Sequence, residues 1–353
     1  MITGTGSYVP ENIVTNNDFA LNKFYDLSGN QIDATHEQIA QKFTAITGIV
    51  ERRYINDELT ASDIGSIAAK LAIEDAGVNL NSIDYIIVAH NYGDTIKGTI
   101  QMDAVPSIAA RIKHKLQIEN NSCVAYDLLF GCPGWLQGLI HAKAYIMAGM
   151  AKRCLVISAE TLSRVIDKND RDSMIYADGA GACIVESVES NVKEGILSNI
   201  SASHTKNEID YLYFGKSNNP NITSDTRYLK MDGRKIYEFA LRNVPTAMKT
   251  CLDESGYSIH DVKKIFIHQA NEKMDNEIIK RFYKLYKEQN IPENITPMNI
   301  HKFGNSSVST IPTLLDFVRK GKYKGVHELN KGDIILFSSV GAGMNLNAIT
   351  YKV

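Results

Sequence analysis

The chain has 353 residues, with 38 basic and 40 acidic side chains and a formal net charge of −2 at pH 7. This balance argues against a nucleic-acid-binding protein, and no segment reaches the roughly 18 consecutive apolar residues of a membrane span. Residues 1–7 lack the basic and apolar regions of a secretory signal, so we expect a protein of the cytoplasm that does not bind membranes.

Helical periodicity alternates with short apolar runs along the chain. In order, the pattern predicts a helix over 64–75, a strand at 86–88, a long polar excursion over 198–232, a helix over 237–252 and a strand at 334–337. Strands that are apolar on both faces belong to sheets covered on both sides. The pattern therefore predicts a layered α/β architecture, with the polar excursion lying over the mouth of a site.

Cys132 lies where a short apolar run ends and a long apolar helix pattern begins. Pro133 suits the first helical position, because it has no N–H to leave unpaired. A thiol at a helix N-terminus faces unpaired N–H groups and the positive end of the helix dipole, which both favour the thiolate. The helix after it is apolar around most of its circumference and should be central. We expect a reactive thiol, although a buried structural cysteine is the common alternative.

The remaining cysteines indicate neither disulfides nor a metal site. The chain has five cysteines, no Cys-x-x-Cys pair, and no His or Cys at the spacing of a zinc site. We therefore expect no metal.

Segments of the first half recur in the same order in the second half. The pairs are 74–88 with 253–267 (offset 179), 151–158 with 331–338 (offset 180) and, more loosely, 179–185 with 341–347. A single pair of similar segments could arise by chance, because helix, glycine turn and buried strand often follow one another in α/β proteins. The repeated offset instead predicts two related halves, residues 1–188 with Cys132 and residues 189–353.

Two polar motifs follow in the second half. His268 begins a His-Gln-Ala-Asn segment at the end of an apolar strand, and Asn305 lies in a Gly-Asn-Ser-Ser segment. Separately, each is typical of a structural hydrogen bond or a turn. Together with Cys132, they supply a nucleophile, an imidazole and an amide donor.

At this point the chain resembles the ketoacyl synthase III branch of the thiolase superfamily, enzymes that start bacterial fatty acid synthesis. The residues that carry the resemblance are 4–16, 47–53, the segment around Cys132, Asp170 with Arg171, 177–182, 268–271 and 304–306. The resemblance implies a thiolase-like five-layer αβαβα fold with two related halves, a homodimer and no bound cofactor.

The same resemblance implies roles for the polar residues. Cys132 would accept an acyl group from acyl-CoA or an acyl carrier protein. His268 and Asn305 would hold the thioester oxygen of malonyl-acyl carrier protein while CO₂ is lost, and preorganised neutral donors suit that task. The backbone N–H groups of Cys132 and Gly343 would form a second oxyanion hole. Arg171 and Asn271 would lie in the substrate site.

The chain departs from the family where acyl donors bind. Lys42 and Ile46 stand where family members carry a Trp and an Arg that contact coenzyme A, so ordinary use of acetyl-CoA is in doubt. Val105 stands where a Phe is usual, which indicates room for a longer acyl chain. The segment 90–105 that leads to Val105 is long for the family.

A basic helix face follows Asn271. Lys273, Lys280 and Lys284 recur at helical spacing, and we expect them to dock the acidic helix of an acyl carrier protein. The alternative is an ordinary solvated face.

Four other functions stay open. A Cys-His-Asn protease has the same residue types in the same order, but its Cys lies near the mature N-terminus. A non-decarboxylating condensing enzyme needs a carboxylate base, which Asp94 or Asp103 could supply. A specialised-metabolite ketosynthase of the resorcinol or quinolone type is the third alternative. A non-catalytic scaffold is the fourth, although it would have no need of all three polar residues.

Overall fold

Helices and strands alternate along the chain, as the sequence pattern predicts. The structure, a computed structural model, describes residues 1–189 and 191–353. The helices are α1 (His36–Thr47), α2 (Ala61–Ala76), α3 (Ile108–Lys115), α4 (Gly134–Met147), α5 (Gly233–Ser255), α6 (Glu272–Leu285), α7 (Ile300–Phe303) and α8 (Thr310–Arg319). The strands are β1 (Ile2–Tyr8), β2 (Asn12–Thr15), β3 (Glu51–Tyr54), β4 (Tyr85–Ala89), β5 (Val124–Leu128), β6 (Arg153–Thr161), β7 (Asp178–Glu186), β8 (Gly195–Ser203), β9 (Leu212–Gly215), β10 (Tyr228–Met231), β11 (Val262–Ile267), β12 (Ile334–Gly341) and β13 (Asn345–Lys352).

In the described residues, the strands form two large mixed sheets and two short antiparallel pairs. The large sheets have the strand orders β1-β7-β6-β4-β5 and β8-β13-β12-β11. Taken from β1 and from β8, successive neighbours are antiparallel, antiparallel and parallel in both sheets. The second sheet therefore repeats the first, and β5 extends only the first.

Helices lie in three layers around these sheets. Helices α2 and α3 cover the outer face of the first sheet, and α5 and α6 cover the outer face of the second. Between the sheets lie α4, which contacts strands of both, and α8, which contacts β1, β7 and β11. The buried Trp135 of α4 belongs to the apolar cluster that joins the two sheets. The prediction of a five-layer αβαβα fold with two related halves is confirmed.

The first pair of similar segments, 74–88 and 253–267, is a true structural repeat. Helix α2 ends at Gly77 and α5 at Gly256, both in left-handed backbone, and each is followed by a short 3-10 turn and a strand. The second pair, 151–158 and 331–338, falls on β6 and β12, which occupy equivalent positions in the two large sheets. The third pair of segments is wrong in register. Residues 179–185 lie in β7, whose counterpart is β13, whereas 341–347 cover the end of β12, the following turn and only the first three residues of β13.

Three other details differ from the prediction. The polar excursion begins after Ser203, because residues 198–203 belong to β8, an edge strand whose exposed side tolerates Ser and Asn. Pro133 is the N-cap of α4 rather than its first residue. Met147, at the end of α4, is 76% exposed, and from Ile140 onward only Ala142 of this helix is fully buried.

The predicted division between residues 1–188 and 189–353 falls between the end of β7 and the start of β8. We propose it as the boundary of the two halves. Within residues 1–189 and 191–353, no helix is long and apolar enough to cross a membrane.

Candidate active site

A cavity of about 1050 Å³ lies where the two halves meet. Cys132 lines it from the first half, and His268 and Asn305 line it from the second. The three side chains that the sequence singled out therefore face one space. Apolar side chains, among them Ile175 and Met344, make up much of the wall around them.

The Cys132 sulfur accepts a hydrogen bond of 3.3 Å from the Ser307 hydroxyl. Burial nevertheless raises the pKa of the thiol to about 12, with the Ser307 hydroxyl opposing the rise and the Glu160 carboxyl adding to it. The lowering of the thiol pKa by the helix N-terminus stays a prediction, and burial acts in the opposite direction because removing water from the sulfur disfavours the thiolate. The resting nucleophile is a thiol, so its proton must leave as it attacks.

Close approach of two backbone segments fixes the position of Cys132. The turn that holds Cys132 packs against Gly341, at the end of β12. A Cβ atom on Gly341 would lie 2.4 Å from the Cys132 backbone nitrogen and 2.9 Å from its Cβ. Only a glycine allows the nucleophile of one half to sit this close to the second sheet.

His268 directly follows β11, and its backbone N–H donates to the Ser338 carbonyl at 2.9 Å. Its Nδ1 lies 2.8 Å from the Thr310 hydroxyl oxygen, which also reaches the Ser307 carbonyl at 3.2 Å. Burial lowers the pKa of His268 to about 4, so the ring is neutral at pH 7.

The Thr310 hydroxyl supports either neutral tautomer of His268. When it donates to Nδ1, the ring proton lies on Nε2, which can then donate. When it donates to the Ser307 carbonyl, Nδ1–H donates to Thr310 and Nε2 has a free lone pair. One neutral imidazole can therefore act as a donor in one tautomer and as a proton acceptor in the other, and it is charged only while it holds the accepted proton.

Asn305 is held by backbone bonds to the first half. Its N–H donates to the Ile175 carbonyl and its carbonyl accepts from the Ala177 N–H, each at 2.9 Å. Its Oδ1 accepts from the Ser307 N–H at 2.7 Å. Because Oδ1 is already bound, the Nδ2 amine remains as the group that can donate to a ligand.

Sequence reasoning missed Ser307 and Thr310. Both belong to the segment that follows Asn305, and they contact Cys132 and His268 respectively. The only signal was a Ser-Ser pair directly after Asn305. Ser307 has a φ of 52°, a left-handed conformation that is unusual for serine and carries no mark in the sequence.

The structure separates the predicted binding residues into two groups. Arg171, Asn271, Lys42 and Ile46 line the cavity. Arg171 also pairs with Asp172 at 3.1 Å. Asn271 caps α6, its side chain accepting from the Met274 N–H at 3.0 Å, so it has a structural task as well.

The second group lies outside the cavity of this chain. Lys273, Lys280 and Lys284 are exposed along α6, and Val105 is 87% exposed. Gly343, with a φ of 73°, lies in the turn between β12 and β13. Its neighbours Gly341 and Met344 line the cavity, but Gly343 is not among the described residues that do so.

The two carboxylates considered as alternative bases are already paired. Asp94 is buried and accepts from the Ser62 N–H at 2.7 Å, and its other oxygen lies 3.2 Å from Arg111. Asp103 lies 2.7 Å from the same guanidinium. Neither is among the described residues that line the cavity.

Two family models match the chain: 3-oxoacyl-[acyl-carrier-protein (ACP)] synthase III over residues 126–204 and its C-terminal part over residues 252–353. A beta-ketoacyl-[acyl-carrier-protein] synthase III of Neisseria gonorrhoeae is 33% identical over 355 residues, covering 99% of this chain and 97% of the relative. The matched segments contain Cys132, His268 and Asn305.

Solved structures agree over the whole length. The beta-ketoacyl-[acyl carrier protein] synthase III of Thermus thermophilus has a TM-score of 0.81 at 29% identity, with 100% of this chain and 98% of that chain covered. The priming beta-ketosynthase of the R1128 polyketide biosynthetic pathway has a TM-score of 0.80 at 25% identity, with 100% and 95% covered. The similarity therefore includes both halves and both sheets.

The close approach at Gly341 generates a prediction. Gly341→Ala should slow modification of Cys132 by a thiol reagent at least tenfold, because the new Cβ would meet backbone atoms that cannot move aside. Gly179→Ala is the matched control: it lies in a buried strand, and its Cβ would come no closer than 3.5 Å to a neighbour. Equal rates for the two variants would contradict the constraint.

Proposed function

The chain belongs to the 3-oxoacyl-[acyl-carrier-protein] synthase III family of condensing acyltransferases, and from this premise we propose that Cys132, His268 and Asn305 carry out its chemistry. The observation that carries the proposal is the shared cavity, into which the two halves bring a thiol, a neutral imidazole and an oriented carboxamide. The activity of the family is acyl transfer and condensation in fatty acid synthesis.

The first step is acyl transfer to Cys132. The sulfur attacks the carbonyl carbon of an acyl thioester, a new S–C bond forms, and the thioester C–S bond breaks to release the donor thiol. Because the Cys132 pKa is about 12, its proton must leave during the attack. The neutral His268 ring, with Nδ1–H donating to Thr310, offers Nε2 as the acceptor, and the departing thiolate takes the proton.

The second step is decarboxylative condensation. Malonyl-acyl carrier protein loses CO₂, and the electron pair left behind is delocalised onto the thioester oxygen. His268, in the other tautomer, and the Nδ2 amine of Asn305 would donate to that oxygen. Each donor contributes about 10²–10³ in rate in comparable sites. The α-carbon then attacks the acyl-Cys132 carbonyl, forming a C–C bond and a 3-oxoacyl thioester. The C–S bond to Cys132 breaks, and the thiolate released takes a proton from water to restore the resting thiol.

Acyl transfer also builds negative charge beside Cys132. The backbone N–H groups of Cys132 and Gly343 are the donors that we propose for it. The packing of Gly341 on the Cys132 backbone supports the proposal, since it brings the turn that contains Gly343 beside the nucleophile.

Two residues of the cavity wall support a proposal about the identity of the acyl donor. Lys42 and Ile46 line the cavity, and they provide neither the aromatic stacking of a Trp nor the bidentate pairing of an Arg with a nucleotide. We propose that the acyl group comes from a carrier protein or is longer than acetyl. The same replacement favours a second candidate, priming of a specialised metabolite, the role that the R1128 relative's name gives to that protein.

The carrier protein is proposed to dock on α6. The first turn of this helix reaches the cavity through Asn271 and Met274, so the exposed face leads away from the mouth. Within the part of the chain that the structure describes, Arg281 pairs with Glu277, whereas Lys280 and Lys284 have no carboxylate partner. Unpaired cations beside the mouth suit an acidic partner.

A second copy of the chain is proposed to cover β5. This strand is the edge of the first sheet, and exposed apolar side chains surround it: Val124 at 48%, Leu129 at 62%, Met147 at 76% and Met150 at 58%. An apolar edge strand is a template for pairing, which a symmetric dimer would satisfy. Pairing would also give Val105 a place beside the partner.

The chemistry predicts a specific pattern of acylation. Incubation with a panel of acyl-CoA and acyl carrier thioesters should add one acyl mass to the protein and none to Cys132→Ala. Asn305→Ala should load as the native protein does, whereas His268→Ala should load more slowly, because it lacks the base proposed for the first step. Once loaded, both should release CO₂ from malonyl-acyl carrier protein about 10²-fold more slowly. Intact-mass spectrometry and CO₂ release measure the two steps separately.

The outcomes of that experiment distinguish the candidates. Clear preference for acetyl-CoA would refute the donor proposal, and absence of any acyl adduct would leave only a scaffold. Condensation without CO₂ release would indicate the non-decarboxylating route.

Charge reversal on α6 tests the docking proposal. Lys280→Glu with Lys284→Glu should raise KM for malonyl-acyl carrier protein about tenfold and leave loading from acyl-CoA unchanged, because only the carrier contacts this face. The control is Lys152→Glu with Lys193→Glu, which alters two exposed lysines far from α6 in sequence. An unchanged KM in the first variant would count against docking.

The edge strand predicts the oligomeric state. The protein should elute with a dimer's mass in size-exclusion chromatography with light scattering, and Leu129→Asp with Met147→Asp should convert it to a monomer. Leu21→Asp, at a side chain that is 96% exposed, should leave the dimer intact. A monomeric native protein would overturn the proposal.

A further inference from the structure

Behind Cys132, a chain of hydrogen bonds leads to a buried carboxyl group. The Ser307 hydroxyl donates to the Cys132 sulfur at 3.3 Å and accepts from the Asn91 Nδ2 amine at 2.7 Å. The same amine donates to Glu160 Oε1, as does the Asn91 backbone N–H at 2.8 Å. Glu160 is 2% exposed. Neither Asn91 nor Glu160 is among the described residues that line the cavity.

The topology explains why these groups meet. Strands β5, β4 and β6 are adjacent and parallel, so their carboxyl ends lie at one edge of the first sheet. Cys132 follows β5, Asn91 follows β4, and Glu160 is the second-last residue of β6. Three neighbouring strand ends thus deliver a nucleophile, an amide and a carboxyl group to the same place.

The hydrogen bonds between Asn91, Ser307 and the Cys132 sulfur all run in one direction, with each donor closer to Asn91 than its acceptor. Both protons of the Asn91 amine are used, one on Glu160 and one on Ser307. The Ser307 oxygen therefore receives a proton from Asn91 and directs its own proton to the sulfur. A hydroxyl donor aimed at sulfur stabilises the developing thiolate more than the thiol.

We propose that Asn91 and Glu160 are positioning residues for the Cys132 nucleophile, acting through the Ser307 hydroxyl. Glu160 fixes the Asn91 amide, and Asn91 fixes the hydroxyl. The left-handed backbone of Ser307, unfavourable for a serine, is retained because this network and the bond to Asn305 hold it. The proposal extends the role given to Cys132, but it concerns the thiol before any acyl group arrives.

The charge state of Glu160 defines the best conservative variant. Burial raises its pKa to about 8, with the Asn91 bonds opposing and Asp178 on the neighbouring strand adding to the rise. Arg164 is the cation that acts on Asp178. Burial thus favours the neutral carboxyl group of Glu160, and Glu160→Gln keeps an uncharged side chain and an acceptor for Asn91.

The test is the pH–rate profile of Cys132 alkylation by iodoacetamide, followed by intact-mass spectrometry. The other four cysteines are buried, and Cys132→Ala establishes the background. Asn91→Leu, Glu160→Leu and Ser307→Gly should each slow alkylation about tenfold at pH 7 and move the profile about one unit to higher pH. Glycine accepts the backbone of Ser307 without strain, so that variant removes only the hydroxyl.

Two controls separate positioning from structure. Glu160→Gln should retain the native alkylation rate at pH 7, where burial favours the neutral carboxyl group. Ser158→Ala should retain it too, because Ser158 lies on the same strand and its buried hydroxyl bonds only the Gly181 backbone. Thermal melting of each variant reports on the fold.

A double variant decides whether Asn91 acts through Ser307. In the double variant Asn91→Leu with Ser307→Gly, Cys132 should be alkylated no more slowly than in Ser307→Gly alone. The hydrogen bond from Ser307 to the sulfur, through which Asn91 would act, is already missing there. Multiplied effects would overturn the proposal, as would native profiles in the folded Asn91→Leu and Glu160→Leu variants. The readout needs no thioester, so a failure here is distinguishable from a failure of Cys132 to accept acyl groups.

Discussion

The segment from Asn305 to Thr310 is the constraint on which the site depends. Its backbone is bonded to residues 175 and 177 of the first half, and its side chains or amides hold each of the three polar groups. Ser307 contacts the sulfur and orients the carboxamide, while Thr310 orients the imidazole. A duplicated fold alone would place a cysteine and a histidine on separate sheets. This segment makes them parts of one site.

Desolvation determines how such a site can work. Burial raises the pKa of the Cys132 thiol to about 12 and lowers the pKa of the His268 imidazole to about 4. Both groups are therefore neutral before substrate binds. Neutral donors in a dry site stabilise an oxyanion without prior charge, and the thiol depends on a nearby base and on Ser307 to ionise during attack. In the proposed mechanism, Cys132 reacts because its neighbours orient the thiol and accept its proton, and not because it rests as a thiolate.

Much of this arrangement was predictable from the sequence, for identifiable reasons. The repeat of 74–88 at 253–267 works as a signal because a glycine cap and an apolar strand leave clear marks in any sequence. His268 follows its strand as predicted. The effect of burial on the pKa of Cys132 was not predicted, because burial depends on which distant residues cover the sulfur. Ser307 and Glu160 escaped notice because their importance lies in contacts that join residues far apart in the chain.

The central claim is that Cys132 carries the acyl group into a decarboxylative condensation. A single-turnover experiment tests it most directly: enzyme acylated on Cys132 with an isotopically labelled acyl group is mixed with malonyl-acyl carrier protein. The account predicts that the label leaves Cys132 within a 3-oxoacyl thioester and that one CO₂ is released for each label transferred. Label that stays on Cys132, or leaves only as the free acid, would contradict it.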